Sequence, residues 1–264
     1  MTALADPDEL VHLDVANGVA TITLDSPANR NALSQKLIGD LLAALDHIAA
    51  GVADRSVRSI VLTHTPPVFC AGADLKERAS GPRGSASVVE VFRRLMDADV
   101  PTIAAVSGPV RAGGIGLMAA CDMVVVHQDV VFALTEVRIG VAAAIISVPI
   151  FRRASPSLLA AAFLTGEPFS AEAARQAGLV THVTDDVTTV VDALCEGVAK
   201  GAPGAMAATK RLLRDAFDPS PDERDAAFER MRLLSDSLFT GPEGVEGMAA
   251  FREKRPPTWQ AVRS

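Results

Sequence analysis

Two segments of small residues do most to constrain this chain. One is Phe69-Cys70-Ala71-Gly72-Ala73-Asp74-Leu75, and the other is Ala112-Gly113-Gly114-Ile115-Gly116-Leu117. Each is placed after an apolar, strand-like run, at residues 57–63 and 102–106. Small residues let a ligand come close to the main chain. Two such loops facing each other aim two backbone N–H groups at one oxygen, the arrangement that stabilises charge developing on a carbonyl. The pattern points to an enzyme that polarises a carbonyl.

At 264 residues the chain suffices for one large domain, or a domain with an appendage. A net charge of −7 argues against a general nucleic-acid binder, while leaving room for a local basic patch. Cys70, Cys121 and Cys195 form no CxxC pair and no zinc spacing, and a low, odd count fits a reducing cytosol. Residues 1–10 carry acids where a secretory signal has a basic start, and the longest apolar run, residues 139–151, is too short to span a bilayer. A cytoplasmic protein without membrane or nucleic-acid partners is expected. His12, His47, His64, His127 and His182 lack HxxxH or HExxH spacing, so no metal site is implied. Neither a GxSxG elbow nor a dinucleotide-register GxGxxG is present.

Strand-like runs at residues 10–15 and 19–24 flank Asn17-Gly18, a strong hairpin signal. Ser34 is placed to cap a helix with the stripe Leu37, Leu41, Leu42, Leu45 and Ile48. Residues 88–98 and 113–120 read as helices, and 122–127 and 131–134 as short strands. Residues 76–87, rich in glycine, serine and charge, read as a mobile segment near the site. Ser170 caps residues 171–177, Gly178 stops that helix, and residues 179–183 form a last strand. From Asp186 the chain is nearly all helix, broken at Pro203, Pro219 to Pro221 and Gly241-Pro242. The stripe Phe228, Met231, Leu234, Leu238 must bury on this core or on another subunit.

Taken together, these residues resemble the crotonase superfamily, the enoyl-CoA hydratase/isomerase family. The resemblance runs through the Asn17-Gly18 hairpin, Asn31-Ala32-Leu33, both small-residue segments, residues 101–108, Cys121-Asp122, residues 132–140, Leu164-Thr165-Gly166, residues 173–180 and Phe251-Arg252-Glu253-Lys254-Arg255. It implies an α/β fold: a crotonase-like spiral of ββα units over residues 1–198, then a C-terminal helical trimerisation region over residues 199–264. A homotrimer or dimer of trimers would follow. The implied substrate is an acyl-CoA thioester, with coenzyme A part of the substrate and no separate cofactor. Its thioester oxygen would sit between the N–H groups of Ala73 and Gly113, the latter opening a helix whose positive end points the same way. Ala28, Arg30, Ala71, Gly72 and Gly114 match regions around the CoA cleft. Lys254 would reach a neighbouring subunit's CoA. Arg30 and Lys254 read equally well as solvated surface cations.

Two-glutamate hydratases of this family hold water between a glutamate shortly after the glycine pair and another in a Phe-x-x-x-Glu segment. The second is present as Glu136, after Phe132-Ala133-Leu134-Thr135, whereas the first position is Gly116. Alone, Glu136 reads as a surface carboxylate paired with Arg138; the resemblance makes it the catalytic acid and base. Apolar surroundings would raise its pKa toward neutrality. One glutamate suits hydration of a 2-enoyl-CoA, migration of a double bond from 3-enoyl-CoA to 2-enoyl-CoA, or, with the chemistry lost, acyl-CoA binding alone. A second departure is Val141-Ala142-Ala143-Ala144 in place of a Pro-Gly-rich turn. It predicts a reshaped pocket wall or an earlier helix start. Asp74 is expected to anchor its loop, and Asp122 to be structural.

Overall fold

The computed structural model describes residues 9–79, 85–215 and 220–257. In chain order these form β1 (Val11–Ala16), β2 (Val19–Leu24), α1 (Gln35–Ala53), β3 (Ser59–His64), α2 (Leu75–Ala79), α3 (Ala86–Asp97), β4 (Thr102–Val106), β5 (Val110–Arg111) and α4 (Gly113–Ala119). There follow β6 (Met123–His127), β7 (Val131–Ala133), α5 (Ala144–Phe151), α6 (Pro156–Thr165), β8 (Phe169–Ser170), α7 (Ala171–Gln176) and β9 (His182–Thr184). The tail is α8 (Val187–Ala199), α9 (Pro203–Asp215), α10 (Pro221–Thr240) and α11 (Pro242–Glu253).

The strands wind into two sheets, ordered β1-β2-β3-β4-β6-β9 and β5-β7-β8. The Asn17-Gly18 turn closes an antiparallel hairpin, with both residues in the left-handed region, and every later pairing in the large sheet is parallel. β2 alternates as its sequence demands, burying Ala20, Ile22 and Leu24 under α1 while Thr21 and Thr23 stay half-buried. β4 is buried at all five residues, as a central parallel strand covered on both faces should be. Ser34 Oγ accepts from Leu37 N at the start of α1, whose buried stripe is Leu37, Leu41, Ala44, Leu45 and Ile48. The α/β spiral of strand–strand–helix units with helices over it is the fold expected.

One local expectation changes, and two segments gain detail. The last strand begins at His182, because Leu179 N and Val180 N both donate to Ala174 O and keep those residues wrapped on the end of α7. The segment 76–87 is helical at both ends: Asp74 Oδ1 accepts from Lys76 N and Glu77 N and so caps α2, and α3 starts at Ala86. Residues 80–84 of that segment lie outside the described residues. On α10 the buried face runs through Arg224, Phe228, Met231 and Ser235, leaving Leu234 exposed on the flank. Spacings of four, three and four follow one side of a helix, and Leu234 sits off that line.

The helical tail packs on this chain's own core. α10 lies against α5 and α3, and α11 against α2 and the 3-10 turn Glu136–Ile139. Two buried cations secure it. Arg224 forks onto the Asp97 carboxylate at 2.5 and 2.8 Å. Lys210 Nζ reaches Asp122 Oδ2 at 2.8 Å and donates to Leu95 O and Val100 O. Asp122 also accepts from Thr102 N and Thr102 Oγ1, the structural role expected of it. Removing a buried cation leaves its half-buried carboxylate without a counter-ion. Lys210→Met is therefore expected to lower stability by about 3 kcal/mol, read as a lower midpoint in urea with an unchanged slope.

Candidate active site

The site begins with strand register. β5 and β7 run parallel, with Val110 opposite Phe132 and Arg111 opposite Ala133. The chain beyond both strands therefore leaves on one side, Gly113 two residues after Arg111 and Glu136 three after Ala133. Ala112 N donates to Ala133 O across this exit. The first small-residue segment is threaded between two others. Ala71 N donates to Arg30 O, Leu33 N to Gly72 O, and Arg111 N to Cys70 O.

This threading demands glycine at position 72. Its φ is +90°, and a Cβ there would lie 2.7 Å from the Ala112 methyl and 3.2 Å from Gly113 N. A Cβ at Gly113 would lie 3.6 Å from Ala73 N. The segments bearing the two amides are thus in direct contact. Gly113 is the first residue of α4, where N–H groups have no intrahelical partner. Among the described residues, no backbone carbonyl accepts from Ala73 N or Gly113 N.

A cavity of about 520 Å3 opens here. Ala71, Ala73, Gly113 and Glu136 line it together, with Arg30 at its border. Gly72 and Gly114 stand behind the lining as the close-packed backing. Ala28 is exposed on the turn Pro27–Asn29, away from the lining. Lys254 is exposed where its left-handed φ of 54° ends α11, and that reversal brings Arg255 to the lining instead. Asp74 anchors its loop as expected, its Oδ1 capping α2 and its Oδ2 accepting from Asn29 Nδ2 at 3.4 Å.

Glu136 does not pair with Arg138. That guanidinium binds Glu167 Oε1 at 2.5 Å and Thr165 O at 2.9 Å. Glu136 Oε2 is buried without a hydrogen-bond partner in the described residues. Burial pushes its pKa from 4.5 up to about 7, against a smaller opposing pull from its own backbone amide. The carboxyl group is thus poised to hold or release a proton near neutral pH.

The position of the missing first glutamate is filled. A Cβ at Gly116 would lie 2.5 Å from Ile146 Cγ2, 2.7 Å from Ile146 Cβ and 3.1 Å from Phe92 Cζ. α5 packs on α4 through this contact, and Ile146 and Phe92 both face the cavity. Ala142, Ala143 and Ala144 add methyl groups to the wall, while α5 starts only at Ala144. The tail contributes Phe251 from the closing motif, and also Ser235, Phe239, Gly247 and Ala250, which no motif in the sequence signals. The one available sign was the small residues of α11, where a Cβ at Gly247 would lie 2.1 Å from Ile139 O. Among the described residues, no three His, Cys, Asp or Glu side chains gather as a metal ion would require, and no helix is long and apolar enough to cross a membrane.

Comparison with known proteins agrees with this fold. The family model described as enoyl-CoA hydratase/isomerase matches residues 14–262. A Thermus thermophilus protein carrying the provisional name enoyl-CoA hydratase is 37% identical, covering 90% of this chain and 96% of that one. The 2,3-dehydroadipyl-CoA hydratase of Escherichia coli is 32% identical, covering 92% of this chain and 95% of its own length. A crystal structure of an enoyl-CoA hydratase from Mycobacterium avium is 40% identical with a TM-score of 0.84, covering 97% of this chain and 100% of that one.

Proposed function

We propose a reaction for this chain, which belongs to the enoyl-CoA hydratase/isomerase family: addition of water across the double bond of a 2-enoyl-CoA thioester. The observation that carries the reading is the buried, unpartnered Oε2 of Glu136 in one cavity with the adjoining Ala73 and Gly113 segments.

In this reading the thioester oxygen accepts from Ala73 N–H and Gly113 N–H. The Glu136 carboxylate takes a proton from water as the water oxygen bonds to the β-carbon. The double-bond electrons move toward the thioester, giving an enolate whose negative oxygen the two amides hold. The acid form of Glu136 then returns the proton to the α-carbon on the same face, and the enolate collapses to the 3-hydroxyacyl-CoA. One carboxyl group both removes and redelivers the proton, and a pKa near 7 makes both steps accessible. Coenzyme A is carried by the substrate, and no further cofactor enters. Arg30 and Arg255 are the cations at the cavity nearest in sequence to the segments assigned to CoA. Assembly as a trimer or dimer of trimers, with Lys254 turned to a neighbour's CoA, belongs to the same reading.

The apolar wall of Ile146 and Phe92 favours one second reading. With no second carboxylate to hold water, Glu136 could instead carry a proton from the α-carbon to the γ-carbon of a 3-enoyl-CoA. The two reactions separate on substrate. Purified protein given crotonyl-CoA and longer or branched 2-enoyl-CoAs is expected to consume the conjugated-enoyl absorbance and yield 3-hydroxyacyl-CoA. Appearance of conjugation from 3-enoyl-CoA without hydroxylated product would assign isomerisation instead. The base must be ionised to start hydration, so kcat/KM is expected to rise with pH to a plateau with a midpoint near 7.

A further inference from the structure

His64 is the last residue of β3, where the chain leaves the sheet for the segment that carries Ala73. Its Nδ1 lies 3.0 Å from Thr65 O, and its Nε2 lies 3.1 Å from Ser107 N. A carbonyl oxygen can only accept and a backbone N–H can only donate. These two partners select one neutral tautomer, with the proton on Nδ1 and the Nε2 lone pair receiving Ser107 N–H. Ser107 follows β4 and begins the segment that carries Gly113. One imidazole therefore ties the roots of both amide-bearing segments.

The surroundings make this tie stiff. The ring stands edge-on to Phe69, centroids 5.4 Å apart and planes at 83°. Gly108 passes so close that a Cβ there would lie 3.0 Å from His64 Cε1 and 2.5 Å from Pro67 O. Farther along, Phe69 N donates to Pro109 O and Arg111 N to Cys70 O. A displacement at Ser107 is thus passed along this ladder toward Ala73 and Gly113. Burial holds the imidazole below its ordinary pKa, which favours the neutral form. The Asp25–His12 pair is one step removed, reached through Thr65 Oγ1.

We propose that His64 is a positioning residue, whose Nε2 lone pair holds residues 65–73 and 107–113 at the spacing that aims both amides at one thioester oxygen. The proposal rests on the reading of Ala73 and Gly113 given above. His64 is outside the cavity lining and acts only through the two segments.

Two variants separate this role from packing. His64→Phe keeps a ring against Phe69 and removes the acceptor, while His64→Gln returns an acceptor near the place of Nε2. The readouts are enoyl-CoA turnover and the ultraviolet signature of the enolate in bound acetoacetyl-CoA at saturation. His64→Phe is expected to lower kcat about 10-fold, less than the ~10²-fold that a 1 Å misplacement costs, with KM within about 2-fold. Its bound acetoacetyl-CoA should be less enolised, and His64→Gln should recover both quantities to within about 3-fold of wild type. Equal enolisation in wild type and His64→Phe would overturn the role of His64 while leaving the amide reading intact. Equal losses in both variants would overturn it too, as the mark of packing alone. Wild-type protein that binds acetoacetyl-CoA without enolising it would overturn the amide reading, and this proposal with it.

Discussion

Glu136→Gln is expected to lower turnover of the enoyl-CoA by about 10³-fold while leaving acyl-CoA affinity within a few-fold of wild type. Glutamine keeps the shape of the side chain and cannot exchange the proton on which both steps depend. The same substitution should make the protein more stable, a combination that an ordinary structural carboxylate would not give. Folded Glu136 has a pKa near 7, while the unfolded side chain has the ordinary value of 4.5. Between those two values the folded protein keeps a proton that the unfolded chain has released. Stability therefore falls as pH rises through this window and stays reduced above it. The full span corresponds to about 3 kcal/mol at 1.4 kcal/mol per tenfold change. Glu136→Gln should recover part of that at pH 8, about 2 kcal/mol, and gain nothing at pH 4. Denaturant titrations at the two pH values measure it. A variant that keeps full activity, or loses stability at pH 8, would remove Glu136 from the reaction.

What the sequence made legible follows from the range of the forces involved. The Asn17-Gly18 hairpin, the Ser34 and Ser170 caps and the α1 stripe depend on neighbours a few residues away, and each stands where the pattern put it. The two small-residue segments, read together, also pointed to their meeting, and at Gly72 the structure shows both a left-handed φ and a close approach to Ala112. The start of β9 was misjudged because Leu179 and Val180 look like strand residues, and only the hydrogen bonds to Ala174 O show that they fold back on the end of α7. Arg138 is adjacent to Glu136 on paper, yet its partner Glu167 arrives from the far end of α6. The partnership of the tail with the cavity was least legible. Ser235 and Phe239 lie about a hundred residues from Glu136, and nothing in their own stretch of chain names their target.

Gly116 poses the sharpest question, since a glutamate there would recreate the second carboxylate of the two-glutamate enzymes. Gly116→Glu is expected to fail both as an added acid and as a tolerated substitution. The first carbon of any side chain at 116 would meet Ile146 Cβ at 2.7 Å, an atom fixed to the backbone of α5 and unable to swing aside. α4 and α5 would have to separate, and overpacking of this kind costs about 1–3 kcal/mol before any charge is considered. The carboxylate would then be lodged among Ile146 and Phe92 with another acid in the same cavity, adding a penalty of several kcal/mol or taking up a proton instead. The expected result is a loss of about 4 kcal/mol or more, seen as poor soluble yield or a much lower melting temperature. Even the folded fraction should turn over no faster than wild type. Gly116→Ala isolates the steric part and should cost about 2 kcal/mol with Glu136 chemistry retained. Pairing it with Ile146→Ala removes Cγ2 and leaves the Cβ contact at 2.7 Å, so it should return only part of that loss, read as a coupling in a double-mutant cycle. If Gly116→Glu instead folds normally and raises the hydration rate, the apolar wall is not a built part of a single-acid site, and α5 yields where its packing says it should not.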